Sequence, residues 1–218
     1  MAGVVVGCLV AAGLVAGGIL DRRSGASAGA IGRFLDDYER SRAGTYALEG
    51  EFTRTSADGG QLRSALFIAQ RPPDRVRRQL GSVSGRLGDG WLNCATDPDG
   101  RFQCAASGRV APFDEEVAAD VSAMATHVQG ERPAYTVRAA GDRCYDLELA
   151  VTMVDPLYGS FARMCFDEAT GAMVYLEVRR ADGSSDVLTV SSVRPQVSDL
   201  DLVVEADDRF APEIIGQS

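Results

Sequence analysis

SFARMCFDEATGAMVYLEVRRADGSSDVLTVSSV, Ser160–Val193, decides how the rest of the chain is read. It divides into three strand-like runs, Ser160–Phe166, Ala172–Arg180 and Asp186–Val193. The breaks, Asp167-Glu168-Ala169-Thr170-Gly171 and Ala181-Asp182-Gly183, carry the Asp and Gly residues that tight turns need. Three runs joined by two short turns predict an antiparallel meander. Just upstream, Ala134–Ala139 and Arg143–Val151 extend it by two strands.

Further upstream the same grammar recurs. Thr45–Thr55 alternates, with Tyr46, Leu48 and Phe52 on one face and Glu49, Glu51 and Thr53 on the other. Asp58-Gly59-Gly60 turns the chain into Gln61–Gln70, where Leu62, Leu66 and Ile68 share a face, and Pro72-Pro73-Asp74 ends that run. Strands Arg75–Leu80, Ser82–Leu87, Trp91–Ala95 and Arg101–Ala106 follow, separated by Gly81, Gly88-Asp89-Gly90 and Asp97-Pro98-Asp99-Gly100.

Two segments have helical spacing instead. Ile31, Phe34, Leu35 and Tyr38 lie on one face of Ala30–Ser41. After Pro112, Val117, Val121, Met124 and Val128 recur at helical intervals, with Asp114, Glu115 and Glu116 at the positive end of the helix dipole. The acidic tail from Asp199 to Asp208 is expected to wind over the surface. The resulting fold class is α+β. About 10–11 antiparallel strands are too many for a flat sheet, so it should curl with the helices on its concave face.

Four cysteines stand in this domain. Cys94 and Cys104 flank the Asp-Pro-Asp-Gly turn, and Cys144 and Cys165 lie on consecutive strands. Two local disulfides are therefore expected, which implies an oxidising, extracytoplasmic compartment. Neither pair has the CxxC spacing of a tetrahedral zinc site, so no metal is expected.

The first residues differ in kind from the rest. GVVVGCLVAAGLVAGGIL, Gly3–Leu20, holds 18 residues without charge, the lower range for a transmembrane helix. Residues 1–23 read as a retained membrane anchor or signal sequence, 24–29 as a linker, 30–210 as the folded domain and 211–218 as a tail. Arg22 and Arg23 follow the apolar run and would keep the C-terminal side in the cytoplasm, whereas the cysteines place it outside. A start codon upstream of Met1 would reconcile the two. With such an extension, Val5-Val6-Gly7-Cys8 would resemble a lipobox lipidated at Cys8. The expected location is the cell membrane, single-pass, with the main domain extracytoplasmic.

Composition excludes more than it proposes. A net charge of −9 leaves no basic stripe for nucleic acid. All 22 basic residues are arginine, the habit of a GC-rich, actinobacterial-type genome, so arginine alone marks no site. His127, the single histidine, reads as a packing or surface residue, and no nucleophile, phosphate-loop or metalloprotease motif occurs. No catalytic residue and no cofactor are expected.

Several motifs in this order resemble the LolA/LppX/LprG-like lipoprotein-carrier superfamily, which includes the N-terminal domain of RseB. They are the leading helix, YALEGEF (Tyr46–Phe52), RPPDRVR (Arg71–Arg77), GDGW (Gly88–Trp91), CFDEATGAMVYLEVRRADGS (Cys165–Ser184) and VSDLDL (Val197–Leu202). The resemblance implies a half-barrel whose concave, apolar face receives acyl chains or the lipid part of a lipoprotein. Candidate cavity residues are Tyr46, Leu48, Phe52, Leu66, Ile68, Trp91, Met124, Tyr135, Leu147 and Leu149, which equally suit an ordinary core. The implied role is a membrane-anchored, lipid- or lipoprotein-binding envelope protein. The alternative is a non-enzymatic envelope sensor or interaction module that binds another membrane protein.

Overall fold

The structure is a computed structural model, and it describes residues 28–205 and 213–215. The anchor and lipobox readings of residues 1–23 lie outside these residues, as does most of the expected linker. Among the described residues no helix is long and apolar enough to cross a membrane.

A helix, α1, runs over residues 28–43, two residues into the expected linker. The strands are β1 (Tyr46–Thr55), β2 (Gln61–Arg71), β3 (Asp74–Gln79), β4 (Ser82–Leu87), β5 (Gly90–Thr96) and β6 (Phe102–Arg109). Helix α2 (Phe113–Val128) intervenes, followed by β7 (Tyr135–Gly141), β8 (Cys144–Leu149), β9 (Phe161–Phe166), β10 (Met173–Arg179) and β11 (Ser185–Arg194). A one-turn helix, α3 (Asp199–Leu202), and a short strand, β12 (Glu213–Ile215), close the described chain.

The 12 described strands form one antiparallel sheet, curved and unclosed: eleven run in the order β6-β5-β4-β3-β2-β1-β11-β10-β9-β8-β7, and β12 joins beside β2. The edge strands β6 and β7 are consecutive in sequence, and α2 connects them. The Ser160–Val193 meander forms β9, β10 and β11, with Leu188, Leu176 and Met164 aligned across it. β12 pairs with Gln61–Arg63, the stretch of β2 that β3 does not reach.

The tail departs from expectation. Instead of wandering over the surface, residues 199–202 form α3, capped by Ser198 and Asp201 with Ser198 Oγ 2.8 Å from the Asp201 carboxylate. Leu202 is buried there, and residues 213–215, within the expected 211–218 tail, pair with β2 as β12.

The sheet changes which of its faces is the core. On β7–β10 the helix-bearing inner face is apolar. Phe34 of α1 and Met124 and Val128 of α2 pack there on Tyr135, Val137, Tyr145, Leu147, Ala162, Met164, Phe166 and Val178. The opposite face of these strands carries ion pairs such as Arg163–Asp146 at 2.7 Å. On β2–β5 the outer face is apolar: Phe67, Ala69, Val76, Val83 and Cys94 are covered by Leu202 with Val197 and Val204. Strand β2 is buried on both sides, which explains its unbroken run Ala65-Leu66-Phe67-Ile68-Ala69.

Candidate functional site

The inner face is read most directly along its cross-strand rows. Tyr46, Gln70, Arg75, Arg86 and Trp91 stand opposite one another on β1 to β5. The next row is Leu48, Ile68, Arg77, Ser84 and Asn93, and the third is Gly50, Leu66, Gln79, Ser82 and Ala95. Each row is apolar or aromatic on β1 and turns polar by β3. The uniformly apolar concave face expected from the sequence therefore ends at β2, because β3–β5 turn their apolar residues outward.

The apolar part forms two clusters. Met124, Tyr135 and Leu147, with Leu149 packed against them, belong to the helix-filled cluster. Tyr46, Leu48, Leu66 and Ile68 join Ala172 and Leu188 in a second, which touches the first through Leu176. Among the described residues no helical hydrophobic side chain is a member of this second cluster. Phe52 is buried beside Leu188, its partner on β11. Trp91 stands apart at the polar end of its row, 37% exposed.

Polar anchors fix the helices over this face. Gln70 Nε2 donates to the carbonyls of Ser41 (3.2 Å), Arg42 (2.9 Å) and Gly44 (2.7 Å), holding the end of α1 on β2. The Tyr46 hydroxyl donates to the Ser41 carbonyl at 3.0 Å, and burial raises its pKa. Arg42 pairs with Asp120 of α2, and Arg86 Nη1 lies 2.7 Å from Glu116 Oε2. These contacts hold the start of α2 above β4, while Met124 and Val128 seat its end on the β7–β9 side.

A second polar centre was not legible in the sequence. Asp37 of α1 is buried at 4% exposure and accepts the Tyr145 hydroxyl at 2.8 Å, together with Arg143. Burial, then the hydrogen bond to Asp37, pushes the Tyr145 pKa up to about 12. It borders a recess of about 560 Å³ lined by charged residues including Arg33, Asp36, Arg40 and Glu168. This recess contains none of the candidate cavity residues. His127 sits in the last turn of α2 with its ring edge toward Tyr135, the centroids 6.4 Å apart.

Both cysteine pairs are bonded, Cys94–Cys104 across β5 and β6 and Cys144–Cys165 across β8 and β9. Both lie on the face away from the helices. Among the described residues no group of three or more His, Cys, Asp or Glu side chains is placed to hold a metal.

The fold and this face define a class: an open, curved antiparallel sheet roofed by helices. No family model matches the chain, and no curated protein does. Solved structures do. MucB in the Pseudomonas aeruginosa MucA/MucB complex is 12% identical, with 81% of this chain and 61% of that one covered at a TM-score of 0.48. A crystal structure of MucB is 17% identical over 83% and 64% of the two chains, with a TM-score of 0.41. A LolA-superfamily protein of Nitrosomonas europaea is 8% identical over 78% and 96%, with a TM-score of 0.33. The chain spans about three-fifths of the MucB length it matches. At these identities the likeness is one of fold alone.

Proposed function

We propose that this chain is a non-catalytic binding protein of the cell envelope, exported and tethered to the membrane by its apolar N-terminal segment. Its ligand would be a lipid, or the acyl part of a lipoprotein, held against the inner face of the open sheet. The observation that carries this reading is the cluster of Tyr46, Leu48, Leu66, Ile68 and Leu188. It is apolar, it lies on the helix-bearing side, and no helical hydrophobic side chain is among its members. Ligand sites are concave and mostly apolar with a few placed polar groups, and the row boundary between β2 and β3 supplies that combination. The two disulfides support export, since such bonds persist in oxidising compartments.

Uptake of the uncharged probe N-phenyl-1-naphthylamine by the detergent-exchanged full chain tests this. Fluorescence should rise, and diacylglycerol should displace the probe. Replacing Leu66→Gln and Ile68→Gln should remove most of the signal. No rise in a folded wild-type protein would end the lipid reading.

A second reading, an interaction module for another envelope protein, is favoured by the loop between β8 and β9. There Val154 and Leu157 are 88% and 65% exposed. Photo-crosslinkers at these two positions should capture one discrete membrane protein if that reading holds.

A further inference from the structure

The cationic half of the inner face has more positive charge than the described residues neutralise. Arg75 and Arg86 are direct cross-strand partners, an arrangement that is destabilising for like charges. Arg77 lies two residues along the same face, and Arg42 comes from the end of α1. Against these four cations stand two carboxylates: Asp120 takes Arg42, and Glu116 takes Arg86. Arg77 reaches only the neutral Gln79 Oε1, with its Nε at 2.8 Å. Arg75 has no hydrogen-bond or ion-pair partner among the described residues. Burial lowers the pKa of both Arg75 and Arg77, and for Arg77 the nearby Arg75 lowers it further. Yet both side chains keep some accessible surface.

A second observation points to the same place. Among the described residues, the buried side-chain polar atoms without a partner are two donors, Arg42 Nε and Arg86 Nε, and one acceptor, Gln70 Oε1. All three belong to this cluster, where Gln70, Arg75 and Arg86 are consecutive members of one row. The Arg86 side chain is only 5% exposed, so bulk water does not serve its Nε. Buried polar groups without partners are costly and rare, and a cluster of them marks a place built for something else. Two orphan N–H donors beside two guanidinium groups without an ion-pair partner among the described residues call for an acceptor carrying negative charge. Planar guanidinium forks match phosphate and carboxylate oxygens best.

We propose that Arg42, Arg75, Arg77 and Arg86 form an oxyanion site beneath α2 at the head of the apolar cluster, taking the phosphate or carboxylate of an anionic amphiphile. Ile68 and Arg77 are direct neighbours across β2 and β3, so acyl chain and headgroup would divide at that boundary. The amphiphile part of this rests on the function proposed above; the oxyanion site does not.

Three ligands presented to the full chain separate these claims: dioleoylphosphatidate, dioleoylglycerol and inorganic phosphate. Phosphatidate should bind at least tenfold tighter than dioleoylglycerol. The pair Arg75→Gln and Arg77→Gln should abolish that advantage while leaving dioleoylglycerol binding unchanged. Arg75→Lys should retain part of it. Because the two arginines are like charges without an ion-pair partner among the described residues, the Gln pair should melt no lower than wild type, whereas a purely structural role would lower the melting temperature. Phosphate binding as tightly as phosphatidate would support the site and assign its oxyanion to a soluble source. Failure of both lipids with phosphate still raising the wild-type melting temperature would keep the site and remove the lipid function. Equal binding of phosphatidate and dioleoylglycerol, with no response to phosphate, would overturn the proposal.

Discussion

Asp37 and Tyr145 show how single residues join the α1 helix to the sheet. Tyr145 holds its proton more tightly folded than unfolded, so its contribution is complete below pH 10 and is lost as pH rises toward about 12. Tyr158, whose pKa burial raises further, acts in the same direction. Chemical denaturation at pH 9 and pH 11.5 should show lower stability at the higher pH, and Tyr145→Phe should shrink that difference. The same substitution should cost about 1–2 kcal/mol at neutral pH, because Asp37 is left buried with one partner fewer. Gly50 is needed for a different reason. It sits at the β1–β11 bulge, where an added Cβ would overlap the Thr189 carbonyl oxygen. Gly50→Ala should therefore destabilise by about 1–3 kcal/mol, measurable by urea unfolding. Neither role was legible, since Asp37 reads as one more exposed acid on a helix and Gly50 as one glycine among 24.

At the scale of elements, the strand runs, both long helices and both disulfide pairings were written in turn chemistry and spacing. What was not written is the side of the sheet each strand turns to the helices. Val76 and Val83 alternate with arginines and serines as any half-buried strand does, and alternation alone does not say which face is inner. The signal that was available is the tight turn at Leu80-Gly81, which fixes Arg75 opposite Arg86. The general abundance of arginine hid its meaning. The tail escaped because its acidic residues outnumber the one, Leu202, that buries itself against β2 and β3. The disulfides yield a prediction at this scale. Closing loops of 10 and 21 residues is worth about 3 kcal/mol each in the chain-entropy account. Cys144→Ser with Cys165→Ser should therefore lower the melting temperature by about 6–12 °C, read by circular dichroism.

The whole molecule is an acidic protein whose described inner surface runs from apolar to cationic within one sheet. That gradient suits an amphiphile better than a purely hydrophobic ligand, and it gives α2 a second task. The helix closes the apolar side with Met124 and Val128 and supplies the only described carboxylates, Glu116 and Asp120, that pair with the cationic side. Loosening its acidic end by Glu116→Gln and Asp120→Asn should raise anionic amphiphile affinity several-fold, by removing competition for Arg42 and Arg86. The central claim is that a lipid occupies this face. Native mass spectrometry of the full chain, released gently from membranes and again after delipidation and incubation with phospholipid vesicles, tests it most directly. If a lipid binds there, both preparations show a discrete lipid-sized mass addition, lost in the Leu66→Gln and Ile68→Gln variant. The bare polypeptide mass in both, from a folded protein, would contradict it.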